Sequence, residues 1–200
     1  MSTLITLNLA NAEVFHLFKR KTKKGAFFMT EVTQKITSLM RQVKALDVHA
    51  LLALDYIQQQ LIDFTQRCYD DIDKFDAMLE KKKHLQNKTI RYQSQFFPEI
   101  AFENQISNHL IELFERYDGV ISRLKTLRNA GCFQNDNDYF ANLRRHQRAV
   151  NQLLSELMLT PIKNSDPLRA ASFKPSSRAL QKRFRHLATV FGLVSRASAI

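Results

Sequence analysis

From Ala45 to Gln86 the chain runs without a glycine or a proline, and within it Leu54, Ile57, Leu61, Phe64, Cys68, Ile72, Phe75 and Leu79 recur every three or four residues. That period belongs to a helix, so the run predicts one long helix with a coiled-coil-like apolar seam and one irregular step. Residues 103–129 repeat the pattern through Ile106, Leu110, Leu113, Tyr117, Val120, Leu124 and Leu127, and Gly131 ends it. Asp136 or Asn137 then caps a helix to Leu159, with Phe140, Leu143, Val150, Leu154 and Leu157 inward. These helices predict an antiparallel bundle. Four Gly, four Pro and no Trp in 200 residues argue against an all-β chain, which needs many tight turns. The expected fold class is mostly α.

The first residues break this pattern. Ile5, Leu7 and Leu9 alternate with Thr6 and Asn8, the period-two signature of a short strand with one apolar face. A lone strand leaves its backbone groups unpaired, and no later segment offers an obvious second strand. The reading therefore pairs it with the same strand of another copy; the alternative is a strand paired inside the monomer, with Thr6 and Asn8 simply solvated. Asn11 caps a following helix with Glu13 in its first turn and Val14, Phe15, Leu17 and Phe18 on its inner side. Lys19, Arg20, Lys21, Lys23 and Lys24 crowd its end, and Gly25 supplies a left-handed terminator. A second helix starts around Met29–Thr30, with Val32, Ile36, Leu39, Met40 and Val43 inward.

Strand, helix, glycine break and second helix within 44 residues spell a ribbon-helix-helix unit. Two chains would pair their strands into an antiparallel ribbon, with Ile5, Leu7, Leu9, Val32, Ile36 and Leu39 in the dimer interface. The other ribbon face would present Thr6 and Asn8, with Leu4 beside them, to the major groove of DNA, which admits a two-stranded ribbon. Asn pairs with adenine, and Thr offers a hydroxyl and a methyl group. The start of the second helix, at Phe28, Met29 and Thr30, would direct amides at a phosphate, and Lys23 and Lys24 would add sequence-independent attraction.

Charge divides the chain in the same way. Residues 1–44 carry 8 Lys+Arg against 2 Asp+Glu, residues 45–159 carry 14 against 16, and residues 160–200 carry 8 against 1. The expected organisation is a 1–44 DNA-binding module, a 45–159 helical bundle, and a basic 160–200 tail. In that tail Leu180, Phe184, Leu187, Phe191 and Val194 line one side of an amphipathic helix. Basic ends around a neutral middle suit a polyanionic partner. Six histidines stand scattered without HxxxH or HExxH spacing, and so few glycines exclude the phosphate-cradling loops. No enzyme, cofactor, metal or small-molecule substrate is expected. Asp70, Asp71, Asp73 and Asp76 cluster, but read as a solvated face. The start lacks a secretory signal, no stretch reaches the about 18 apolar residues needed to span a bilayer, and Cys68 and Cys132 lack CxxC spacing. The expectation is a cytoplasmic protein.

Taken whole, the sequence resembles the AcaB-like transcriptional regulators of conjugative plasmids and integrating conjugative elements. The resemblance is carried by Asn11 to Phe18, by Tyr92-Gln93-Ser94-Gln95-Phe96-Phe97-Pro98-Glu99-Ile100, by Arg116-Tyr117-Asp118 leading to Leu124-Lys125-Thr126-Leu127-Arg128, and by Asp166-Pro167-Leu168-Arg169-Ala170-Ala171. It implies a ribbon-helix-helix homodimer that binds operator DNA and activates transfer genes, reading bases through Thr6, Asn8 and Leu4. RNA polymerase or another regulator would be a further partner. Groove-facing strands of such proteins often carry Arg, Lys or Gln, whereas this strand is uncharged, so phosphate contacts would bear more of the affinity. The rival reading is a helical interaction protein of a conjugation or secretion apparatus, its basic surfaces meeting a partner or a membrane.

Overall fold

A computed structural model of the chain describes residues 3–160 apart from 24, 46, 83–89 and 103. The elements in chain order are β1 (Thr3–Thr6), α1 (Ala12–Lys19), α2 (Phe28–Lys44), α3 (Val48–Glu80), β2 (Glu99–Phe102), α4 (Gln105–Asn129) and α5 (Asp136–Leu159). The order strand–helix–helix thus occurs twice, on either side of α3. The amphipathic helix expected in the tail lies outside the described residues.

The helical seams are where their periods put them. Asp47 starts α3 by accepting the amides of His49 and Ala50, and all eight seam residues from Leu54 to Leu79 are buried. All seven seam positions of α4 are buried too, after a cap in which Asn104 accepts from the Ser107 amide. Asn135, rather than Asp136 or Asn137, caps α5 by accepting from Asp138. Phe140 departs from its expected inward place and is exposed, because neighbouring Tyr139 takes the buried position against Phe133. Arg128 then lies over both exposed and buried rings.

The expected antiparallel order of the long helices is corrected. Contacts between α3 and α4 advance together along both: Gln58 with His109, Tyr69 with Glu112, Asp76 with Arg123. The two helices therefore run in the same direction. At 33 residues α3 is about 50 Å long. The connection over 81–104 can span about 80 Å when extended, enough to return the chain to the start of α3. Gly119 marks the close approach of the pair: a Cβ there would meet the Ile72 Cδ1 at 3.2 Å.

On that return path lies the second strand that the sequence did not announce. β1 pairs with β2 of the same chain, antiparallel, with Thr3 opposite Phe102, Leu4 opposite Ala101, Ile5 opposite Ile100 and Thr6 opposite Glu99. The strand needs no second copy to satisfy this edge, so the expected pairing across a dimer is replaced by an intrachain ribbon. The six residues assigned to a dimer interface lie in the chain's own core instead: Leu7, Leu9, Val32, Ile36 and Leu39 are buried, and Ile5 packs against them. One hydrophobic cluster runs from Leu7 to Leu157 across the expected boundary at 44/45.

Two buried polar side chains tie the last helix down. Lys35 of α2 donates to the carbonyls of Met158 and Thr160, placing a cation at the end of α5 where the helix dipole favours it. His146 sits edge-on to Phe75, with its Nδ1 3.9 Å from Asp71 and its Nε2 buried without a partner. Burial holds His146 below its ordinary 6.5, against an upward pull from Asp71. A depressed histidine favours the folded state above the unfolded value and loses that contribution as pH falls through the folded one. Urea midpoints are therefore expected to drop as pH falls below about 6.5. A His146→Leu variant should flatten that slope; an unchanged slope would show that other groups set it.

Candidate functional site

A buried clamp positions the end of the β1 segment. The amides of Ala10 and Asn11 donate to the Asp118 carboxylate at 2.9 and 3.0 Å. The Asn11 side-chain amide donates to the Asp118 carbonyl and carboxylate, each at 3.0 Å, and to Ser122 Oγ at 2.7 Å. Asn11 occupies the N-cap of α1 as expected, but its side chain makes no capping bond; it is turned into α4 instead. Burial pushes the Asp118 carboxyl above its ordinary range, and the donors from Ala10 and Asn11, with Lys125, pull it back. Nearby, Lys125 meets Glu13 at 2.7 Å. The strand-to-helix corner is thus bolted to the middle of α4.

From that corner the ribbon's faces follow. Leu7 donates to the Pro98 carbonyl at 2.9 Å, while Leu9 and Phe96 exchange amide bonds at 2.9 and 3.0 Å. Odd-numbered residues of the segment therefore turn their backbone groups toward β2, and those of Leu4, Thr6 and Asn8 point to the open edge. Side chains alternate as well. Ile5, Leu7 and Leu9 go inward with Ile100, Pro98 and Phe96, while Leu4, Thr6 and Asn8 face out with Ala101, Glu99 and Phe97. Leu4 is 59% and Phe97 58% exposed, and Thr6, Asn8 and Glu99 are exposed too. Leu4, Thr6 and Asn8 thus all stand on the outer face of the intrachain ribbon.

Two members of this face escaped the sequence reading. Phe97 and Glu99 lie in the segment 96–100, whose in–out alternation is obscured in the sequence by Pro98. At Pro98 the ladder keeps one bond of the usual two: Leu7 donates to the Pro98 carbonyl, while the proline nitrogen, which carries no hydrogen, returns none to Leu7.

The basic turn is organised by aromatic rings. α1 stops at Lys19, shorter than expected, and the chain folds into a tight loop in which Thr22 donates to Ala26 and Gly25 to Thr22. Gly25 has φ +81°, so the left-handed residue sits in this loop and not at the helix end. Lys19 stands 4.5 Å over Phe15, Arg20 4.7 Å over Phe28 and Lys21 5.7 Å over Phe27. Lys23 is exposed, and Lys24 lies outside the described residues. Phe28 and Met29 are buried side chains. The Phe28 amide donates to the Arg20 carbonyl, so it is spent inside the loop and is not free for a phosphate. No side chain caps α2, and Thr30 is exposed.

Leu4, Met29 and Thr30 meet around an open apolar groove of about 430 Å³, shared with Phe15, Phe27 and Lys19. Thr6, Asn8 and Lys23 do not line it. Among the described residues no group of three or more His, Cys, Asp and Glu could hold a metal ion. Of the aspartate cluster, Asp76 meets Arg123, Asp71 meets Lys74, and Asp70 accepts from Gln66. Cys68 is a buried thiol that burial pushes up to about 12. Among the described residues no helix is long and apolar enough to cross a membrane.

No family model and no curated protein matches the chain. Among solved structures, that of AcaB from uropathogenic E. coli is similar at 14% identity, with a TM-score of 0.51 over the whole of this chain and 91% of that one. At that identity the likeness is one of fold: the chain is AcaB-like in architecture.

Proposed function

We propose that the chain is a double-stranded DNA-binding transcriptional regulator that reads sequence with the outer face of the β1–β2 ribbon. The observation that carries this is the outward placement of Thr6 and Asn8 on a two-stranded antiparallel ribbon, the object that the major groove admits. The exposed cations of the α1–α2 turn supply attraction to phosphates, and the uncapped α2 leaves the Met29 and Thr30 amides for one of them. The AcaB-like fold and the sequence resemblance to regulators of conjugative elements bear in the same direction, toward activation of transfer genes. The reading is a binding role without catalysis, cofactor or small-molecule substrate. The reading also includes a homodimer, as the sequence resemblance implies. Its place of action would be the cytoplasm, with RNA polymerase or another regulator as further partner.

The test is selection of bound duplexes from a random library, followed by titration against the selected site. Replacing Thr6 and Asn8 together by alanine should leave the thermal midpoint unchanged, since both are exposed, and cut the preference over random DNA by roughly tenfold per lost contact. Unchanged selectivity would remove base reading from this face. A chain that binds no DNA at low salt but captures protein or vesicles would favour the rival interaction role, to which exposed Leu4, Phe27 and Phe97 are suited.

A further inference from the structure

We infer that Glu99, contributed by β2 from outside the strand–helix–helix module, is a specificity-determining residue that reads cytosine; the inference rests on the DNA-binding reading above. Glu99 lies directly across from Thr6 on the outer face of the ribbon. Because Leu7 and Leu9 are the hydrogen-bonded positions, Thr6 and Glu99 form a non-hydrogen-bonded pair, the kind whose side chains stand closest. Glu99 is exposed, and among the described residues no cation lies within ion-pair distance of it. Asn8 is flanked by exposed Phe97 and Leu4 by Ala101, so Glu99 is the one charged side chain among the outward residues of the ribbon, with Lys19 lining the same groove.

A carboxylate carried toward DNA is repelled by phosphates and by every acceptor on a base edge. It is tolerated only opposite a donor, and the major groove offers two, the N4 amino group of cytosine and the N6 amino group of adenine. Adenine sets its N7 acceptor beside the amino group, whereas cytosine presents the amino group alone. A carboxylate therefore selects cytosine. The amide of glutamine has both a donor and an acceptor and matches the adenine pair of groups instead. The same position thus has a predictable exchange of specificity, which a purely repulsive or solvated glutamate would not have.

The experiment is selection from a random duplex library with the full-length chain as wild type, Glu99→Gln, Glu99→Ala and the Thr6→Ala/Asn8→Ala pair. The expected result is a motif in which one cytosine becomes adenine for E99Q and becomes unspecified for E99A, with about tenfold discrimination at that position in the wild type. Both variants should also bind random DNA more tightly, because a negative charge has left the interface. Tighter binding with the cytosine retained would make Glu99 a repulsive bystander and overturn the inference while leaving ribbon reading intact. A motif altered by neither the Glu99 changes nor the Thr6/Asn8 pair, or no DNA bound at all, would overturn both.

Discussion

Asp118→Ala should lower the thermal midpoint by roughly 10 °C, although the residue touches no candidate ligand group. Its carboxylate accepts the amides of Ala10 and Asn11 and the Asn11 side chain at a site only 7% exposed. Removing it strands several buried donors at once. Each unsatisfied group costs about 1–3 kcal/mol, which places the sum at about 3 kcal/mol or above. At this chain length a kilocalorie moves the midpoint by about 2–4 °C. Asp118→Asn keeps one acceptor oxygen and should lose less than half as much. Hydrogen exchange should show the Ala10 and Asn11 amides released in the alanine variant. A midpoint within 1 °C of wild type, with those amides still protected, would mean that water or rearranged neighbours replace the carboxylate and that the clamp does not hold the ribbon in place.

Replacing Lys21 and Lys23 by glutamine should weaken DNA binding about 60-fold at about 0.1 M salt while leaving the selected motif unchanged. Each phosphate contact adds about 0.9 to the slope of log affinity against log salt, so losing two should flatten the slope by about 2. The side chains are exposed, and the ring contact of Lys21 with Phe27 at 5.7 Å is a surface contact, so little stability is at stake. The loss should be uniform across sequences, opposite in character to the Thr6/Asn8 and Glu99 changes. A salt slope identical to that of the wild type would take these lysines off the phosphate backbone, and the positive turn would then need another partner.

The sequence by itself determined the local structure. The three- and four-residue spacing of Leu54 through Leu79 and of Ile106 through Leu127 was enough for both long helices, since an apolar stripe of that period can be buried only along a helix. The alternation of residues 5–9 was enough for a strand and for which of its faces is wet, so the outward set of Leu4, Thr6 and Asn8 was legible in the sequence. Gly25 was legible as a left-handed residue, though not as part of a loop.

What only the tertiary structure decided was pairing and direction. Hydrophobic period says which face a helix buries and nothing about which neighbour covers it or which way that neighbour runs. α4 runs parallel to α3, and Glu99–Phe102, which lie between the two helices in the chain, pair with β1. Strand partnership depends on backbone groups that every residue carries alike, so four residues beside a proline announce nothing until the chain brings them within hydrogen-bonding distance. Phe97 and Glu99 reached the outer face by that route, and so the charge that now flanks Thr6 was invisible in a strand that has none.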